Sequence, residues 1–156
     1  MKLFCGILVL IASLALGETF FTEKIKITDG QAVLLVEAPD AVKAAVDAAN
    51  RIAGKPYKYA GGHGIWEDDG YDCSGSTSYV LHAAGVLDEA RSSSGFKDYG
   101  EPGPGEWISV HVKPGHVFLV IAGARFDTTD HADIGPGWRE ADRLSEAFEI
   151  RHPKGM

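Results

Sequence analysis

The segment from Trp107 to Thr129 has a sequence that can form little other than antiparallel sheet. Three strand-like runs rich in β-branched and aromatic residues follow one another: "EWISVHV", "HVFLVIAG" and "ARFDTT". Pro114-Gly115 separates the first two runs, and a tight turn near Gly123-Ala124 separates the second from the third. Connections this short join antiparallel neighbours, because parallel strands need a long crossover.

Two helices are predicted ahead of these strands. Apolar residues at helical spacing indicate a first helix from Asp40, its N-cap, to Ala53. A second helix is expected from Asp72, again the N-cap, to Ala84, with an apolar stripe on one side. A glycine follows each helix and ends it.

The remaining segments complete an α+β pattern. Short strands around Lys24–Thr28 and Ala32–Val36, joined by a turn at Asp29-Gly30, precede the helices. Near the C-terminus, "GPGWRE" is predicted to be a loop and "AFEIRHP" a last strand. The order of strands, helices and more strands in 156 residues indicates one α+β domain.

The first seventeen residues are typical of a secretory signal peptide. Met1-Lys2 precedes the apolar run "LFCGILVLIASLALG", which is too short for a comfortable membrane span, and Ala15 and Gly17 are small residues suited to a cleavage site. We expect residues 1–17 to be removed and residues 18–156 to form the mature domain. The expected location is secreted or cell-wall associated, with no stable membrane insertion after cleavage. An uncleaved membrane anchor is the alternative.

The charge of the chain argues against nucleic acid as a partner. The formal net charge is −7, and loss of Lys2 with the signal segment makes it one unit more negative. Proteins that bind phosphate backbones need patches of Lys and Arg. We therefore expect no nucleic-acid partner.

Cys73 is the only cysteine in the expected mature domain, because Cys5 lies in the signal segment. It is either an incidental buried thiol or a reactive one. A thiol attacks as the thiolate, and a free thiol, with a pKa of about 8.5, is ionised to only a few per cent at neutral pH. A helix start favours the thiolate through its unpaired N–H groups and dipole. The position of Cys73 directly after the cap Asp72 therefore indicates a nucleophile.

A thiol nucleophile also needs an imidazole that takes its proton and returns it to the leaving amine. His82 lies more than two turns along the Cys73 helix, and His63 lies in the glycine-rich loop "KPYKYAGGHGIWEDDG", interpreted as a mobile wall of the site. His116 begins the strand "HVFLVIAG" beside a loop, so we favour it as the base over the alternative, His111. Spacing typical of zinc ligands is absent, and neither a metal nor a cofactor is expected.

The imidazole needs a partner on its other nitrogen, which fixes its tautomer and orientation. The strand "ARFDTT", paired with the strand of His116, is expected to supply it. Asp127 and Thr128 face opposite sides of that strand, and the turn length that decides between them is not readable from the sequence. We favour Asp127, because a carboxylate stabilises an imidazolium more strongly than a hydroxyl does.

Three stretches of the chain resemble the NlpC-type cell-wall cysteine peptidases. "YDCSGSTSYVLHAAG" resembles the Asp-Cys-Ser-Gly motif and following helix of this family, "KPYKYAGG" its upstream aromatic and glycine segment, and "GHVFLVIAG" its histidine strand. The similarity runs from about Lys55 to Thr128. The order of Cys before His separates the chain from permuted relatives in which His comes first.

The resemblance implies a reduced papain-like fold, with a central antiparallel sheet and the catalytic cysteine at a helix N-terminus. It implies a secreted cysteine endopeptidase that hydrolyses an amide bond in peptidoglycan stem peptides, typically between D-glutamate and a diamino acid. Cys73 would be the nucleophile and His116 the base of a Cys-His-polar triad. The implied partner is the stem peptide.

The resemblance also implies substrate-binding residues. Tyr57 would lie near the oxyanion and substrate, and Asp72 and Ser74 would help to hold the free amine of the substrate, although helix capping is an equal alternative for Asp72. The chain departs from the family pattern at Ala60, where glycine is usual, and at Ser76, where a large apolar residue is usual. It also departs at the third catalytic position, often histidine in the family.

Two other functions stay open at this point. One is a thiol acyltransferase or amidase acting on another amide or ester. The other is a catalytically inert wall-binding or effector domain. The sequence indicates neither which diamino acid bond is cut, nor whose wall is the target, nor an immunity or inhibitor protein.

Overall fold

The computed structural model describes residues 19–128, 135–141 and 148–156, so the expected signal segment 1–17 lies outside it. Within these ranges the chain forms short strands, two α-helices and a 3-10 helix. In chain order they are β1 Thr19–Phe21, β2 Ile25–Thr28, β3 Gln31–Leu34, α1 Asp40–Ile52, α2 Cys73–Ala83, the 3-10 helix Ser94–Phe96, β4 Glu101–Pro102, β5 Ile108–Lys113, β6 His116–Ile121, β7 Ala124–Asp127, β8 Gly137–Arg139 and β9 Glu149–His152. None of the helices in the described ranges has the length and apolar character needed to cross a bilayer.

The N-terminal sheet is a hairpin with one strand added at its edge. In the hairpin of β2 and β3, Thr28 pairs with Gln31, so Asp29 and Gly30 form a two-residue turn. Both have positive φ, 53° and 74°, as this turn type requires. The predicted hairpin is confirmed, whereas β1, which pairs antiparallel with β2, is not indicated by the sequence.

The larger sheet contains six antiparallel strands in the order β4-β9-β5-β6-β7-β8. Its centre is the run of three strands predicted from Trp107 onward, and that prediction is confirmed. Ile121 pairs with Ala124, so the turn between β6 and β7 is Ala122-Gly123, one residue earlier than the sequence indicates. Both turn residues have positive φ, 52° and 91°.

The segment "GPGWRE", predicted to be a loop, contains the edge strand β8. Gly137–Arg139 pairs antiparallel with β7. The ring of Trp138 packs against Phe126 with 5.1 Å between centroids, and its indole N–H donates to Asn50 Oδ1 on α1 at 2.9 Å. A partner strand and these contacts outweigh the glycine and proline content that favours a loop, so the prediction is wrong for these three residues.

The two helices pack against each other and against the larger sheet. In α1, Asp40 is the first helical residue rather than the N-cap, a position that Pro39 takes with extended backbone. In α2, every residue from Cys73 to Leu81 is buried, whereas the sequence predicts an apolar stripe on one side only. Because this part of the helix is covered on all sides, its first residue is held in a fixed position.

The result is an α+β fold with a central antiparallel sheet and a cysteine at a helix N-terminus, as predicted. α2 packs on β6 and β7, and α1 packs on α2 and on β3 of the N-terminal sheet. The main apolar core lies between the helices and the face of the larger sheet that carries Val117, Leu119 and Ile121.

Candidate active site

Cys73 is the first residue of α2 and lies at the edge of the core, with 9% of its surface exposed. Asp72 precedes it with extended backbone and caps the helix by accepting a hydrogen bond from the N–H of Gly75 at 2.7 Å. The first N–H groups of a helix have no partner within it. The thiol therefore lies at the positive end of the α2 dipole.

The strand pair β6 and β7 brings an imidazole and a carboxylate together. Val120 pairs with Arg125, and side chains two residues apart share a face of a strand, so His116, Phe118, Arg125 and Asp127 all lie on one face. Nε2 of His116 lies 2.9 Å from Oδ1 of Asp127. The two-residue turn therefore sets the register that makes Asp127 the partner of the imidazole.

His116 also interacts with the thiol of Cys73. Because Asp127 engages Nε2, Nδ1 is the ring nitrogen left for the thiol. Burial by itself would lower the pKa of His116, but hydrogen bonds with Asp127 and Cys73, together with the negative charge of both groups, outweigh burial and raise the pKa from 6.5 to about 9. The imidazole is therefore protonated at neutral pH and can pair with a thiolate.

Asp127 lies between two cationic side chains. Its side chain is 1% exposed, and its Oδ2 lies 3.4 Å from Nη1 of Arg125, whose side chain is 6% exposed. The guanidinium of Arg125 in turn lies 5.7 Å from the centroid of Phe118. A carboxylate buried to this extent needs compensating charge. Arg125 and His116 supply this charge.

Tyr57 lies close to the thiol on a segment fixed against the start of α2. Tyr57 and Tyr71 form an isolated parallel bridge, and the N–H of Lys58 donates to the carbonyl of Tyr71. Burial raises the pKa of Tyr57, and the negative charges of Cys73 and Asp72 raise it further. The phenol therefore keeps its proton and is a hydrogen-bond donor beside the thiol.

The glycine-rich loop that follows Tyr57 is tied to α2, so its interpretation as mobile is wrong. A Cβ atom at Gly75 would collide with the carbonyl oxygen of Gly61, which means that the loop and helix backbones touch at these two glycines. A Cβ atom at Gly62 would also come too close to the ring of Tyr71, at 2.6 Å. Any larger residue at these positions would push the loop away from the cysteine.

Asp68 holds the same loop from inside. Asp68 is only 7% exposed, and it accepts hydrogen bonds from Lys58 Nζ and from the N–H groups of Gly62 and Asp69. These hydrogen bonds lower the pKa of Asp68 from 3.8 to about 2. Because the pKa is lowered on folding, this stabilisation is present above 3.8 and is lost as the pH falls through about 2.

His63 is a site residue that the sequence analysis missed. Its Nε2 lies 3.0 Å from Asp72 Oδ1 and 3.1 Å from Ser74 Oγ, on the two residues that flank Cys73. The side chain of His63 is 27% exposed. In the sequence, the one sign of this role was the place of His63 in a glycine-rich loop just before the cysteine motif. The interpretation of that loop as mobile argued against such a role.

The other described histidines lie apart from the thiol. His111 is buried on β5 and stacks on Phe118 with 4.8 Å between centroids, and burial lowers its pKa to about 4. His82 stacks on Trp66 and contacts the carbonyl of Leu87 through Nδ1. His131 lies outside the described residues. In the described part of the chain, no group of three or more His, Cys, Asp or Glu side chains is arranged to hold a metal ion.

Sequence comparison identifies no relative of this chain, whereas structural comparison identifies solved proteins of similar fold. No protein-family model matches the chain, and no curated protein matches it significantly. The P60 domain of an antigen from M. avium subspecies paratuberculosis superposes with a TM-score of 0.56 at 18% identity, over 74% of this chain and 96% of that domain.

Two further solved structures show the same likeness. The peptidoglycan hydrolase RipB from Mycobacterium tuberculosis matches with a TM-score of 0.54 at 20% identity, over 72% of this chain and 64% of RipB. NlpC1 from Trichomonas vaginalis matches with a TM-score of 0.56 at 15% identity, over 76% of this chain and 46% of NlpC1. The match therefore spans less than two thirds of either of these two proteins.

These superpositions agree with the architecture of the chain. The central antiparallel sheet and the cysteine at the start of α2 are the features that the resemblance of the sequence to NlpC-type peptidases implies. Several independent solved structures match most of the chain at similar TM-scores. The protein therefore has an NlpC/P60-type fold.

Proposed function

We propose that this protein is a cysteine endopeptidase that hydrolyses an amide bond in peptidoglycan stem peptides, typically the D-glutamyl–diamino acid bond. The observation that carries the proposal is the arrangement of Cys73, His116 and Asp127. The imidazole of His116 forms a hydrogen bond with the thiol of Cys73, and its Nε2 lies 2.9 Å from Oδ1 of Asp127. The likeness of the fold to NlpC/P60 proteins, one of them named a peptidoglycan hydrolase, supports the substrate class.

In the first half of the reaction, the thiolate of Cys73 adds to the carbonyl carbon of the scissile amide and forms a C–S bond. The free N–H groups at the start of α2 and the hydroxyl of Tyr57 donate to the oxyanion that develops. His116 gives its Nδ1 proton to the leaving nitrogen as the C–N bond breaks. The diamino acid portion departs, and the rest of the stem stays bound as a thioester.

In the second half, the now neutral His116 takes a proton from a water molecule, whose oxygen adds to the thioester carbonyl. Collapse of this adduct breaks the C–S bond, releases the carboxylic acid and restores the thiolate and imidazolium. Asp127 orients the ring and stabilises its charged form in both halves. Arg125, whose Nη1 lies 3.4 Å from Oδ2 of Asp127, compensates the charge of that carboxylate.

The proposal includes the path of the substrate and the location of the protein. The stem peptide lies over the start of α2, where Tyr57 adjoins the thiol and Asp72 and Ser74 flank the nucleophile. Removal of residues 1–17 on export, followed by action outside the cell or at the cell wall, rests on the sequence of that segment. A wall substrate requires such a location.

Digestion of purified peptidoglycan fragments, read by mass spectrometry, tests the proposed reaction. The expected result is stem peptides that lack their diamino acid portion and end in a new carboxylate. Cys73→Ala serves as the inactive control. Release of sugars with intact stems would contradict the proposal, and transfer of the acyl group to an added amine without hydrolysis would identify an acyltransferase instead.

Asp127→Asn is expected to lower kcat on the order of 10²-fold, because an amide holds the imidazole but supplies no negative charge for the imidazolium. Loss of that charge also moves the pKa of His116 down from about 9 toward 6.5, so the alkaline limit of the pH–rate profile moves to lower pH. Rates across this pH range measure both effects. Thr128→Val is the matched control and is expected to lower kcat only slightly; the reverse ranking would move the role to Thr128.

A further inference from the structure

Arg125 is a buried arginine that contacts the carboxylate partner of His116. Its side chain is 6% exposed, and its Nη1 lies 3.4 Å from Oδ2 of Asp127, whose side chain is 1% exposed. The other oxygen of the same carboxylate, Oδ1, lies 2.9 Å from Nε2 of His116. One buried carboxylate therefore has the imidazole on one oxygen and a guanidinium on the other.

Strands on both sides of β7 fix the spacing of Arg125 and Asp127. The two residues are two positions apart, so their side chains lie on the same face of the strand. Arg125 pairs with Val120 of β6 on one side and with Arg139 of β8 on the other. Asp127 pairs with Gly137, which has no side chain to compete for the carboxylate. A slip of β7 by one residue would remove both charges from this face at once.

The ring of Phe118 supports both cationic partners of Asp127. Phe118 is 2% exposed, and its centroid lies 5.7 Å from the guanidinium carbon of Arg125 and 6.1 Å from the ring centroid of His116. A cation within about 6 Å of an aromatic ring is attracted to its face. The fixed ring therefore limits where the guanidinium and the imidazole can move relative to the carboxylate.

The ion pair with Arg125 also restricts rotation of the carboxylate. The torsion about the Cβ–Cγ bond of an aspartate has a broad distribution, so an unrestrained carboxylate holds a partner in several orientations. With Oδ2 of Asp127 held by the guanidinium, Oδ1 stays directed at Nε2 of His116. The ring then presents Nδ1 to the thiol of Cys73.

We propose that Arg125 is a positioning residue of the reaction, which acts through Asp127 to orient His116 and to set the pH range in which the thiol is active. This inference rests on the proposed function. A merely structural ion pair would stabilise the fold and leave the ionisation of Cys73 unchanged. The two roles therefore differ in what a variant of Arg125 does to the pH profile.

The charged and titratable groups around Arg125 lie on the neighbouring strands and on α2. On β6, His116 shares the carboxylate of Asp127 with Arg125. On β8, Arg139 pairs with Arg125, and its Nη1 donates to a backbone carbonyl of its own strand at 2.9 Å. At the start of α2, Cys73 interacts with His116.

One histidine on β5 adjoins the same ring. His111 stacks on Phe118 with 4.8 Å between centroids, and burial lowers its pKa to about 4, so it is neutral through the working range. A positive charge disfavours proton binding by its neighbours. Loss of the charge of Arg125 is therefore expected to raise the proton affinity of Cys73, His116 and Asp127 together. Both limits of the pH–rate profile move to higher pH, whereas Asp127→Asn moves the alkaline limit to lower pH.

Arg125→Met and Arg125→Lys separate the charge from the geometry. Methionine has no charge, so the variant is expected to lower kcat about tenfold with little change in KM and to move the pH–rate profile up by about one unit. Lysine keeps the charge but not the planar fork, so kcat is expected to fall several-fold while the profile stays in place. Rates on wall fragments and alkylation of Cys73 by iodoacetamide, each across the pH range, measure both effects.

A double-mutant cycle tests whether Arg125 acts through Asp127. In the Asp127→Asn background, Arg125→Met is expected to change kcat less than about twofold, because the carboxylate through which it acts is absent. Asp127→Asn also leaves Arg125 as a buried charge without that carboxylate, so its Tm is expected to fall and Arg125→Met to restore part of the loss. A tenfold effect on kcat in both backgrounds would overturn the positioning role.

Arg151→Met is the matched control for loss of an arginine from the same sheet. Arg151 lies on β9, and its guanidinium donates to the backbone carbonyls of Tyr99 at 2.8 Å and Gly100 at 3.2 Å. This variant is expected to lower Tm and to leave the pH profiles in place. An equal shift in Arg151→Met and Arg125→Met would assign the shift to lost stability and overturn the inference.

The two assays distinguish this inference from the proposed reaction. Unchanged pH profiles in Arg125→Met would overturn the role of Arg125 and leave the endopeptidase proposal standing. A shifted alkylation profile in a chain that cleaves no wall fragment would overturn the endopeptidase proposal and support the action of Arg125 on the thiol. If Arg125→Met does not fold, Arg125→Lys and the double variant Arg125→Met/Asp127→Asn supply the same comparison, and a kcat of Arg125→Lys equal to wild type would overturn the role.

Discussion

Cys73→Ala is expected to lower the rate of stem-peptide hydrolysis on the order of 10⁶-fold while the chain stays folded. The thiol is the nucleophile of the proposed reaction, and it forms a hydrogen bond with His116, the proposed base. The substitution removes one sulfur atom at the edge of the core and leaves the Asp72 cap intact. Initial rates on wall fragments measure the loss, and thermal unfolding is expected to change by only a few degrees, about 1 kcal/mol or less.

Two companion variants make this test specific. Cys73→Ser keeps a hydroxyl of similar size, which an imidazole does not ionise as it does a thiol, so its rate is also expected to fall by several orders of magnitude. Ser76→Ala is the matched control one turn along α2, where the hydroxyl donates to the carbonyl of Cys73 at 3.1 Å. Its rate is expected to stay close to wild type. Cys73→Ala with a rate within tenfold of wild type would show that the nucleophile lies elsewhere.

His116→Ala is expected to lower kcat/KM about 10³-fold or more, because the variant has neither a base for the water nor an acid for the leaving amine. The imidazolium that stabilises the thiolate is also lost, so alkylation of Cys73 by iodoacetamide at about pH 6 is expected to slow. A purely structural role for His116 would not change that alkylation rate in a folded variant. The two readouts together therefore separate catalysis from stability.

The pKa of His116 predicts a pH dependence of stability with a definite sign. Folding raises this pKa from 6.5 to about 9, so the stabilisation is fully present below 6.5 and is lost as the pH rises through about 9. The free energy of unfolding of wild type is expected to fall across this window. In His116→Ala that part of the slope is absent, which urea denaturation on either side of the window would measure.

His111→Gln is the control histidine variant. His111 is buried on β5, and because burial lowers its pKa to about 4, it is neutral wherever the proposed pair is charged. The variant is expected to keep its activity per folded molecule. An inactive His111→Gln together with an active His116→Ala would move the base from His116 to His111.

Much of the fold follows from signals that are local in the sequence. The Asp29-Gly30 turn and the breaks between β5, β6 and β7 are set by residues next to each other in the chain, and each is found where or within one residue of where it is predicted. The start of α2 is an equally local signal, since the cap Asp72 and the first helical residue Cys73 are neighbours in the chain. These features depend on backbone propensity and hydrophobic period, which a short window of sequence contains.

Local sequence signals only partly predict which residue is the partner of His116. Side chains alternate along a strand, so a change of one residue in the turn exchanges Asp127 for Thr128. The sequence indicates a turn near Gly123-Ala124, and the structure has it at Ala122-Gly123, with Asp127 on the face of His116. The sequence identifies Asp127 and Thr128 as candidates, but the choice between them depends on the register of the paired strands β6 and β7.

The sequence by itself thus determined the α+β class, the helix start that carries Cys73 and the strand start that carries His116. Only the tertiary structure decided that Asp68 is buried, that the residues of α2 from Cys73 to Leu81 are buried and that His63 contacts both neighbours of Cys73. Each of these depends on the close approach of two separate segments, such as the backbone contact between Gly61 and Gly75. From its sequence neighbours alone, a glycine or a polar residue is predicted to be flexible and exposed to solvent. Only the packing of another segment against it makes it rigid and buried.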